Sequence, residues 1–321
     1  PKSIFISGVN GVGRKTFLKH ALVKTNLIEL GYKPSILLLE KDASIEDFIH
    51  QLNGLGLVDL TSELTHLDDK SMVDKINIVK KFISQAQNDE EVIFIVDEGS
   101  IVNFKREISD WFQACLEGLD NVDIPIFCVI SRFRVNFKNR LRNKDYYFIE
   151  LNELDVDERK WLLTQLLKIN KIQLDKRDFN DIQSLLFGLP EQVYYAVDLI
   201  KTDNISKIVD KLPFIREYND DTASLLLRKY EDDGETIKFI RFLAEFEVIN
   251  IDFIYSVLPI DKANVLIEKL ASEHIVELIG IEGEIVRLSD IVRDYITRNN
   301  FKLDNFYKEK PTITIFYRIK N

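Results

Sequence analysis

The first sixteen residues contain the feature that most restricts the fold of this chain. A short apolar run, Ser3–Ser7, is followed by a turn with three glycines, Gly8, Gly11 and Gly13, and then by a helical pattern. Glycine lets a backbone curl so that its N–H groups point inward, and a helix N-terminus adds partial positive charge. This order of strand, turn and helix is typical of a loop that binds nucleotide phosphates.

The basic residues that follow Gly13 can be aligned with this pattern in two ways. The usual pattern is glycine, four residues, glycine, lysine and then serine or threonine. Without a gap, Arg14 takes the lysine position and Lys15 takes the position of the hydroxyl that binds Mg²⁺. With one extra loop residue, Lys15 and Thr16 keep the two usual roles.

Both alignments leave the loop irregular. An arginine holds phosphate through a planar fork, which is not equivalent to the point charge of a lysine. We therefore expect the loop to bind phosphate but to support only slow or impaired ATP hydrolysis, with Thr16 as a candidate ligand of Mg²⁺. The candidate nucleotide-binding residues of the loop are Gly8, Asn10, Gly11, Val12, Gly13, Arg14, Lys15 and Thr16.

Length and charge restrict the class of protein and its partners. A chain of 321 residues is long enough for two or three domains, and 45% hydrophobic residues can supply a buried core. The formal net charge of −10 argues against a nonspecific hold on nucleic acid or on an acidic membrane surface. The two cysteines fit no metal motif and favour a reduced, cytoplasmic environment.

Residues 1 to about 152 alternate apolar strands with helical patterns. The later strands are apolar throughout, as expected for strands buried on both faces of a parallel sheet. We predict an α/β fold with strands at 3–7, 35–40, 92–97, 126–131 and 146–151, and helices at 17–31, 45–52, 72–86 and 105–119.

The rest of the chain is mainly helical. Two short strands near its end, turned at 280–283, favour a winged helix. The predicted helices are 155–170, 176–186, 191–201, 221–231, 235–245, 251–257, 262–273 and 290–298, and the two strands are 275–279 and 284–288. We predict a nucleotide-binding domain at 1–152, a helical domain at 153–218, a winged helix at 219–300 and a tail or the start of a further region at 301–321, with a strand-like stretch at 312–317.

Polar residues end two neighbouring strands of the predicted sheet. Asp97 is placed to reach Mg²⁺ directly or through water, and Glu98 to polarise the attacking water. Arg132 follows the next strand and is the candidate sensor of the γ-phosphate, with Arg134 as a second candidate. Each of these side chains also fits an ordinary exposed strand end, because charged residues are mostly exposed.

The order of the motifs resembles the STAND class of signalling ATPases, in particular the NB-ARC and AP-ATPase type of nucleotide switch. Those proteins run from a phosphate loop through an acidic strand end and a strand that ends in Thr-Thr-Arg or Thr-Ser-Arg. A helical domain with Gly-Leu-Pro and a winged helix that closes on Met-His-Asp follow. The corresponding segments here, after the loop, are Asp97-Glu98, Ile130-Ser131-Arg132, Gly188-Leu189-Pro190 and Leu288-Ser289-Asp290.

The resemblance implies roles for three further positions. Pro190 packs near the adenine, Arg132 acts as the first sensor, and Ser289, at the histidine position, touches the diphosphate and locks the winged helix onto the nucleotide domain. Serine still donates a hydrogen bond, but it is shorter than histidine and carries no charge. The same residues also fit plainer roles, Gly188-Leu189-Pro190 as a turn between helices and Ser289 as a helix N-cap.

The resemblance also implies a function. ADP holds the domains together, and exchange for ATP, with Mg²⁺, favours an open form that associates into a homo-oligomer and activates a linked effector. Such modules often serve innate immunity or antiviral defence. Because the first strand begins almost directly after Pro1, we expect a fragment of a longer protein, with effector and sensor domains outside it.

Two other functions remain open. A AAA+ ATPase of the origin-recognition type also joins a phosphate loop, a helical lid and a winged helix, and there the winged helix binds DNA. The candidate recognition helix, residues 261–273, contains Lys262, Lys269 and three acidic residues, which does not favour DNA. The second possibility is a scaffold that binds nucleotide irreversibly or not at all.

Overall fold

The structure is a computed structural model that describes residues 2–103, 105–119, 124–202, 207–279, 284–299 and 301–309. It divides into two compact units. The first contains Pro1–Asn10 and Arg14–Leu151, and the second contains Gly11–Gly13 and Asn152–Asn321. No helix in the described ranges is both long and apolar enough to cross a membrane.

The first unit is built on a five-stranded parallel sheet. The strands are β1 (Ser3–Ser7), β2 (Ser35–Leu39), β3 (Ile93–Asp97), β4 (Phe127–Ser131) and β5 (Tyr146–Glu150). Their order across the sheet is β2-β3-β4-β1-β5. Because all five run in the same direction, the glycine-rich loop after β1 and the polar ends of β3 and β4 lie at the same edge of the sheet.

Both faces of this sheet are buried. On β4, Phe127 and Val129 pack with side chains from the helices on one face, whereas Cys128 and Ile130 pack with side chains from the helix on the other. The helices of the unit are α1 (Arg14–Lys24), α2 (Ile45–Gly54), α3 (Thr61–Leu64), α4 (Met72–Asn88), α5 (Asp110–Leu116) and α6 (Phe137–Arg142). The predicted parallel α/β architecture is therefore confirmed.

The helix predicted at 105–119 is shorter than its sequence pattern suggests. It begins only at Asp110, because the preceding residues form a loop. The Asn103 side chain accepts the backbone N–H groups of Lys105 and Glu107, at 2.9 and 3.1 Å. An asparagine that satisfies nearby backbone donors in this way stabilises a turn in place of a helix.

Both cysteines of the chain belong to the first unit. Cys115 lies in α5 and Cys128 in β4, and both side chains are fully buried. Burial raises the pKa of the Cys115 thiol to about 12 and also raises that of Cys128, because a thiolate is poorly solvated in an apolar core. Both residues therefore behave as small core side chains.

The second unit is mainly helical and contains one small antiparallel sheet. Its helices are α7 (Val156–Ile169), α8 (Lys176–Gln183), α9 (Pro190–Thr202), α10 (Ile208–Arg228), α11 (Gly234–Leu243), α12 (Ile251–Val257), α13 (Ile260–Ser272), α14 (Asp290–Arg298) and α15 (Asn305–Lys308). The strands β6 (Ile249–Asn250), β7 (Val276–Ile279) and β8 (Ile285–Leu288) pair in the order β6-β8-β7. The predicted turn at 280–283 and the strand-like stretch at 312–317 lie outside the described residues.

The α10 helix differs most from the sequence expectation. It is one helix of 21 residues, and the position 218/219, where we placed a domain boundary, lies inside it. Pro213 in its second turn does not end it. Asn219, where we began the winged helix, is buried here and bonds through its side chain to Gln192 and to the Leu185 carbonyl, at 2.8 Å each.

Candidate phosphate-binding site

The loop after β1 has the backbone conformation that its glycines permit. Gly11 and Gly13 have φ angles of 85° and 89°, a region that residues with a Cβ rarely adopt. The α1 helix then begins at Arg14, directly after the last glycine and three residues earlier than predicted. The first free N–H groups of the helix therefore adjoin the loop, as in known anion sites at helix N-termini.

Arg14 connects the loop to the end of β4. Its Nη1 donates to the Ser131 carbonyl at 2.5 Å, and its Nη2 donates to Asn10 Oδ1 at 2.8 Å. Lys15 and Thr16 are exposed, and within the described ranges neither side chain makes a hydrogen bond or an ion pair. Of the two basic residues after Gly13, Arg14 is therefore the one whose side chain bonds at this edge of the sheet.

The charge of Arg14 is only partly balanced by its surroundings. Both of its bonded acceptors are neutral oxygens, one from a carbonyl and one from an amide. Burial lowers the pKa of the Arg14 guanidinium, nearby Arg132 adds to this effect, and Glu98 opposes it. A partly buried cation bonded to neutral acceptors gains energy when an anion approaches, because buried charges require a partner.

Asp97 at the end of β3 is already saturated with hydrogen bonds. Its carboxylate accepts five donors, which are the backbone N–H groups of Gly99, Ser100, Ile101 and Val102 and the hydroxyl of Ser131, at 2.8 to 3.2 Å. Burial raises the pKa of Asp97, and the four backbone bonds oppose that shift. The side chain thus fixes the conformation of residues 98–102, and its predicted metal role fits a contact through water better than direct ligation.

Glu98 and Arg132 lie side by side at this edge. Both are partly exposed, and Arg132 Nη1 is 3.8 Å from Glu98 Oε2. Arg134, the second sensor candidate, instead pairs with Glu150 at 3.0 Å. In the first unit the structure therefore brings together Asn10, Arg14, Asp97, Glu98 and Arg132.

Pro190 and Ser289, the two predicted site residues of the helical part, belong to the second unit. Pro190 is the first residue of α9, and Gly188 precedes it with a φ of 60°. A Cβ on Gly188 would lie 2.7 Å from Glu153 Cβ, and the Leu154 N–H donates to the Gly188 carbonyl at 2.7 Å. Glycine is required here because Glu153 packs directly against the turn.

Ser289 also contacts Glu153. It occupies the N-cap position of α14, but its side chain does not cap the helix. Its hydroxyl donates to Glu153 Oε1 at 2.5 Å, and the Asp290 N–H donates to Glu153 Oε2 at 3.2 Å. One carboxylate therefore joins the Gly188 turn to the start of α14. No sequence pattern singles out Glu153, because it is one of several acidic residues between positions 150 and 158 and is far from Ser289 in the chain.

Arginines complete what we call the Glu153 cluster, defined as Glu153, Arg159, Arg287, Ser289 and Asp290. The Asp290 carboxylate pairs with Arg287 at 2.7 Å and lies 3.7 Å from Arg159 Nη2. Arg159 also donates to the Leu186 carbonyl at 2.5 Å. The cluster thus connects the start of the second unit to β8 and α14.

The Glu153 cluster predicts how stability depends on pH. Burial raises the pKa of Glu153 and the charge of Asp290 adds to this, while bonds from Ser289 and Asp290 and the charge of Arg287 oppose it. A raised carboxyl pKa contributes stability that is complete below the ordinary value and is lost as pH rises through the raised value. We expect the melting temperature of the wild type, relative to that of Glu153→Gln, to fall as the pH rises above the ordinary carboxyl pKa.

Asp157→Asn is the matched control, since Asp157 is an exposed carboxylate in the first turn of α7. Its melting temperature should follow the wild type across the same pH series. Parallel curves for the wild type and Glu153→Gln would contradict a raised pKa at Glu153.

Comparison with known proteins supports the fold. No protein-family model matches the chain, and no curated protein matches it either. Among solved structures, the Walker-type ATPase PABY2304 of Pyrococcus abyssi matches with a TM-score of 0.59 and 12% identity, over 92% of this chain and 91% of that one. A STAND protein with a tetratricopeptide repeat sensor, PH0952 from Pyrococcus horikoshii, gives 0.44 and 16%, over 99% and 43%. The chain therefore has the α/β fold of the P-loop NTPases, followed by a helical C-terminal part.

Proposed function

We propose that this chain binds an adenine nucleotide through the loop after β1 and acts as a nucleotide-controlled signalling switch of the STAND type. The observation that carries the proposal is the position of Arg14. Its partly buried guanidinium, bonded to neutral oxygens, stands at the end of a glycine-rich loop beside the acidic end of β3. That combination suits the phosphates of ATP or ADP.

The residues at this edge of the parallel sheet would have separate roles in binding and hydrolysing the nucleotide. The loop N–H groups and Arg14 hold the phosphates, Glu98 orients the attacking water, and Arg132 senses the γ-phosphate. When bound, Mg²⁺ would neutralise phosphate charge. Thr16 offers an exposed hydroxyl for it and Asp97 a contact through water. Because Lys15 occupies the hydroxyl position in the alignment without a gap, we infer that the hold on Mg²⁺ is weak.

Ser289 gives the proposed switch two alternative hydrogen bonds. A serine hydroxyl has one proton to donate, so it bonds either to Glu153 or to a phosphate. The predicted contact of Ser289 with the diphosphate therefore requires the bond to Glu153 to open. Nucleotide would shift the balance between the two arrangements by its difference in affinity for them. Self-association, control of a linked effector and a role in immune or antiviral defence are proposed from the resemblance of the motifs.

Nucleotide content of the purified protein tests this proposal. We expect close to one ADP or ATP per chain after denaturation and anion-exchange chromatography. Most of it should remain after dialysis against EDTA, because the loop holds phosphate mainly through N–H groups and Arg14. Glu98→Gln should keep the nucleotide and slow its turnover. A wild-type protein that is empty and does not bind added ADP or ATP would rule the proposal out.

DNA binding by a winged helix is the competing proposal. The two lysines of α13 that could contact DNA are already paired, Lys262 with Glu235 and Lys269 with Asp233. Pairing of this kind neutralises the charge that phosphate contacts require. We therefore favour the signalling switch, and a salt-dependent gel shift with duplex DNA would reverse that preference.

A further inference from the structure

The second unit contains a basic cavity that the proposed switch does not use. It has a volume of about 940 Å³ and lies between the end of α7 with the start of α8 and the end of α9 with the start of α10. That volume is within the range of small-molecule sites, roughly 300–1,000 Å³. The cavity is therefore large enough for an organic ligand.

The charge of its lining is opposite in sign to that of the whole chain. Five cationic side chains line the cavity, which are Lys171, Arg177, Lys201, Lys207 and Lys211. Two carboxylates, Asp175 and Asp178, oppose them, and Asp175 is occupied as the N-cap of α8. The chain as a whole has a formal charge of −10. The lining therefore has more cationic than acidic side chains, which favours an anionic ligand.

The cationic side chains of the lining differ in burial and in hydrogen bonding. Lys211 is only 5% exposed, and its Nζ donates to the carbonyls of Leu199 and Ile200 at 2.8 and 3.2 Å. It is a fixed positive charge in the wall, placed at the C-terminal end of α9. The ammonium groups of Lys171, Lys201 and Lys207 make no ion pair or hydrogen bond within the described part of the chain. These three are available to a ligand.

Apolar side chains also line the cavity. They are Ile172, Leu174, Ile200, Ile208 and Val209, of which Ile200 is buried and Val209 is exposed. A site for a small organic molecule combines apolar side chains with polar groups that orient the ligand. Lysine ammonium groups bind phosphate as point charges. An anion with an apolar portion therefore matches both parts of the lining.

We propose that this cavity binds a phosphorylated small molecule, with its phosphates against Lys171, Lys201 and Lys207 and its apolar portion against the apolar side chains of the lining. The site is separate from the phosphate loop and uses none of its residues. It gives the second unit a ligand of its own, independent of the nucleotide that the loop is proposed to hold.

Lys171 can be replaced by glycine without strain in the backbone. It follows the end of α7 with a φ of 56°, a conformation that favours glycine at the end of a helix. Lys171→Gly therefore removes an ammonium group while it relieves the backbone, and the protein should fold at least as well as the wild type. Lys201→Gln combined with Lys207→Gln removes the other two charges and provides a second, independent variant.

Titration calorimetry with inorganic tripolyphosphate tests the proposal. The protein is first freed of nucleotide. We expect two binding sites in the wild type, one after Arg14→Gln and one after the Lys201→Gln/Lys207→Gln change. Lys171→Gly should weaken binding at the cavity site about 10-fold or more, since a charge-assisted bond is lost. The affinity of this site should fall as salt rises.

Lys160→Gln is the control, because Lys160 is exposed on α7 outside the cavity lining. It should bind like the wild type. Tripolyphosphate binding to the Arg14→Gln protein that is unchanged by removal of the cavity lysines would overturn the proposal, as would no binding to that protein at all. Either result leaves the phosphate loop untested, so failure here is distinct from failure of the proposed switch.

Discussion

Arg14→Gln should abolish nucleotide retention, whereas Lys15→Gln should leave most of it. The guanidinium of Arg14 lies at the sheet edge between Asn10 and Ser131, while Lys15 is exposed on the first turn of α1. Loss of a charge-assisted phosphate contact costs about 1.5–3 kcal/mol, or roughly 10- to 100-fold in affinity for each bond. Titration of nucleotide-free protein with a fluorescent ADP derivative measures the difference.

Arg14→Lys is the informative control for this pair. It restores the residue of the usual pattern and should bind nucleotide more tightly than Arg14→Gln. Since Arg14 also bonds to Ser131 and Asn10, urea unfolding should confirm that each variant is folded. The opposite order, with Lys15→Gln as the defective variant, would support the alignment that has one extra loop residue.

Asp97→Ala should destabilise the first unit by about 4 kcal/mol. The change leaves four backbone N–H groups and the Ser131 hydroxyl without their acceptor, and buried groups that lose a charged partner cost about 3–5 kcal/mol in total. Urea unfolding followed by circular dichroism gives the free energy of unfolding. The effect should be the same with and without Mg²⁺, because it arises within the chain.

Glu98→Ala, at the next position, should change the free energy of unfolding by less than about 0.5 kcal/mol, because the Glu98 side chain is partly exposed and accepts none of the backbone bonds that Asp97 accepts. The backbone N–H of residue 98 still donates to the Leu39 carbonyl in this variant. If Asp97→Ala unfolded at the same urea concentration as the wild type, the loop 98–102 would not depend on the carboxylate. A direct metal role for Asp97 would then become the better explanation.

The sheet could be predicted from sequence because its strands are continuous apolar runs. The five predicted strands agree with the structure to within one residue at each end. Helix ends were less predictable where a side chain competes with the helix, as Asn103 does before α5. The α10 helix continued through Asn219 because the asparagine side chain found partners on other helices, and such partners have no signature in the local sequence.

The sequence was sufficient to propose which residues form the site, but not which hydrogen bonds their side chains make. Spacing alone could not show which of the two basic side chains, Arg14 or Lys15, bonds at the sheet edge, because both fit the pattern. The saturation of Asp97 depends on how residues 98–102 turn, and the motif contains no information on that. Glu153 was missed because its bond to Ser289 joins residues 136 positions apart, and nothing in the local sequence distinguishes it from the acidic residues around it.

The two buried thiols allow local unfolding of the first unit to be measured separately from that of the second unit. Cys115 and Cys128 are the only cysteines in the sequence, and both lie in the core beneath the proposed nucleotide site, in the unit that contains β1. Burial also keeps them protonated, so a maleimide can react only when that core exposes them. The rate of alkylation therefore reports local unfolding around the five-stranded sheet of the first unit, without a contribution from the second unit.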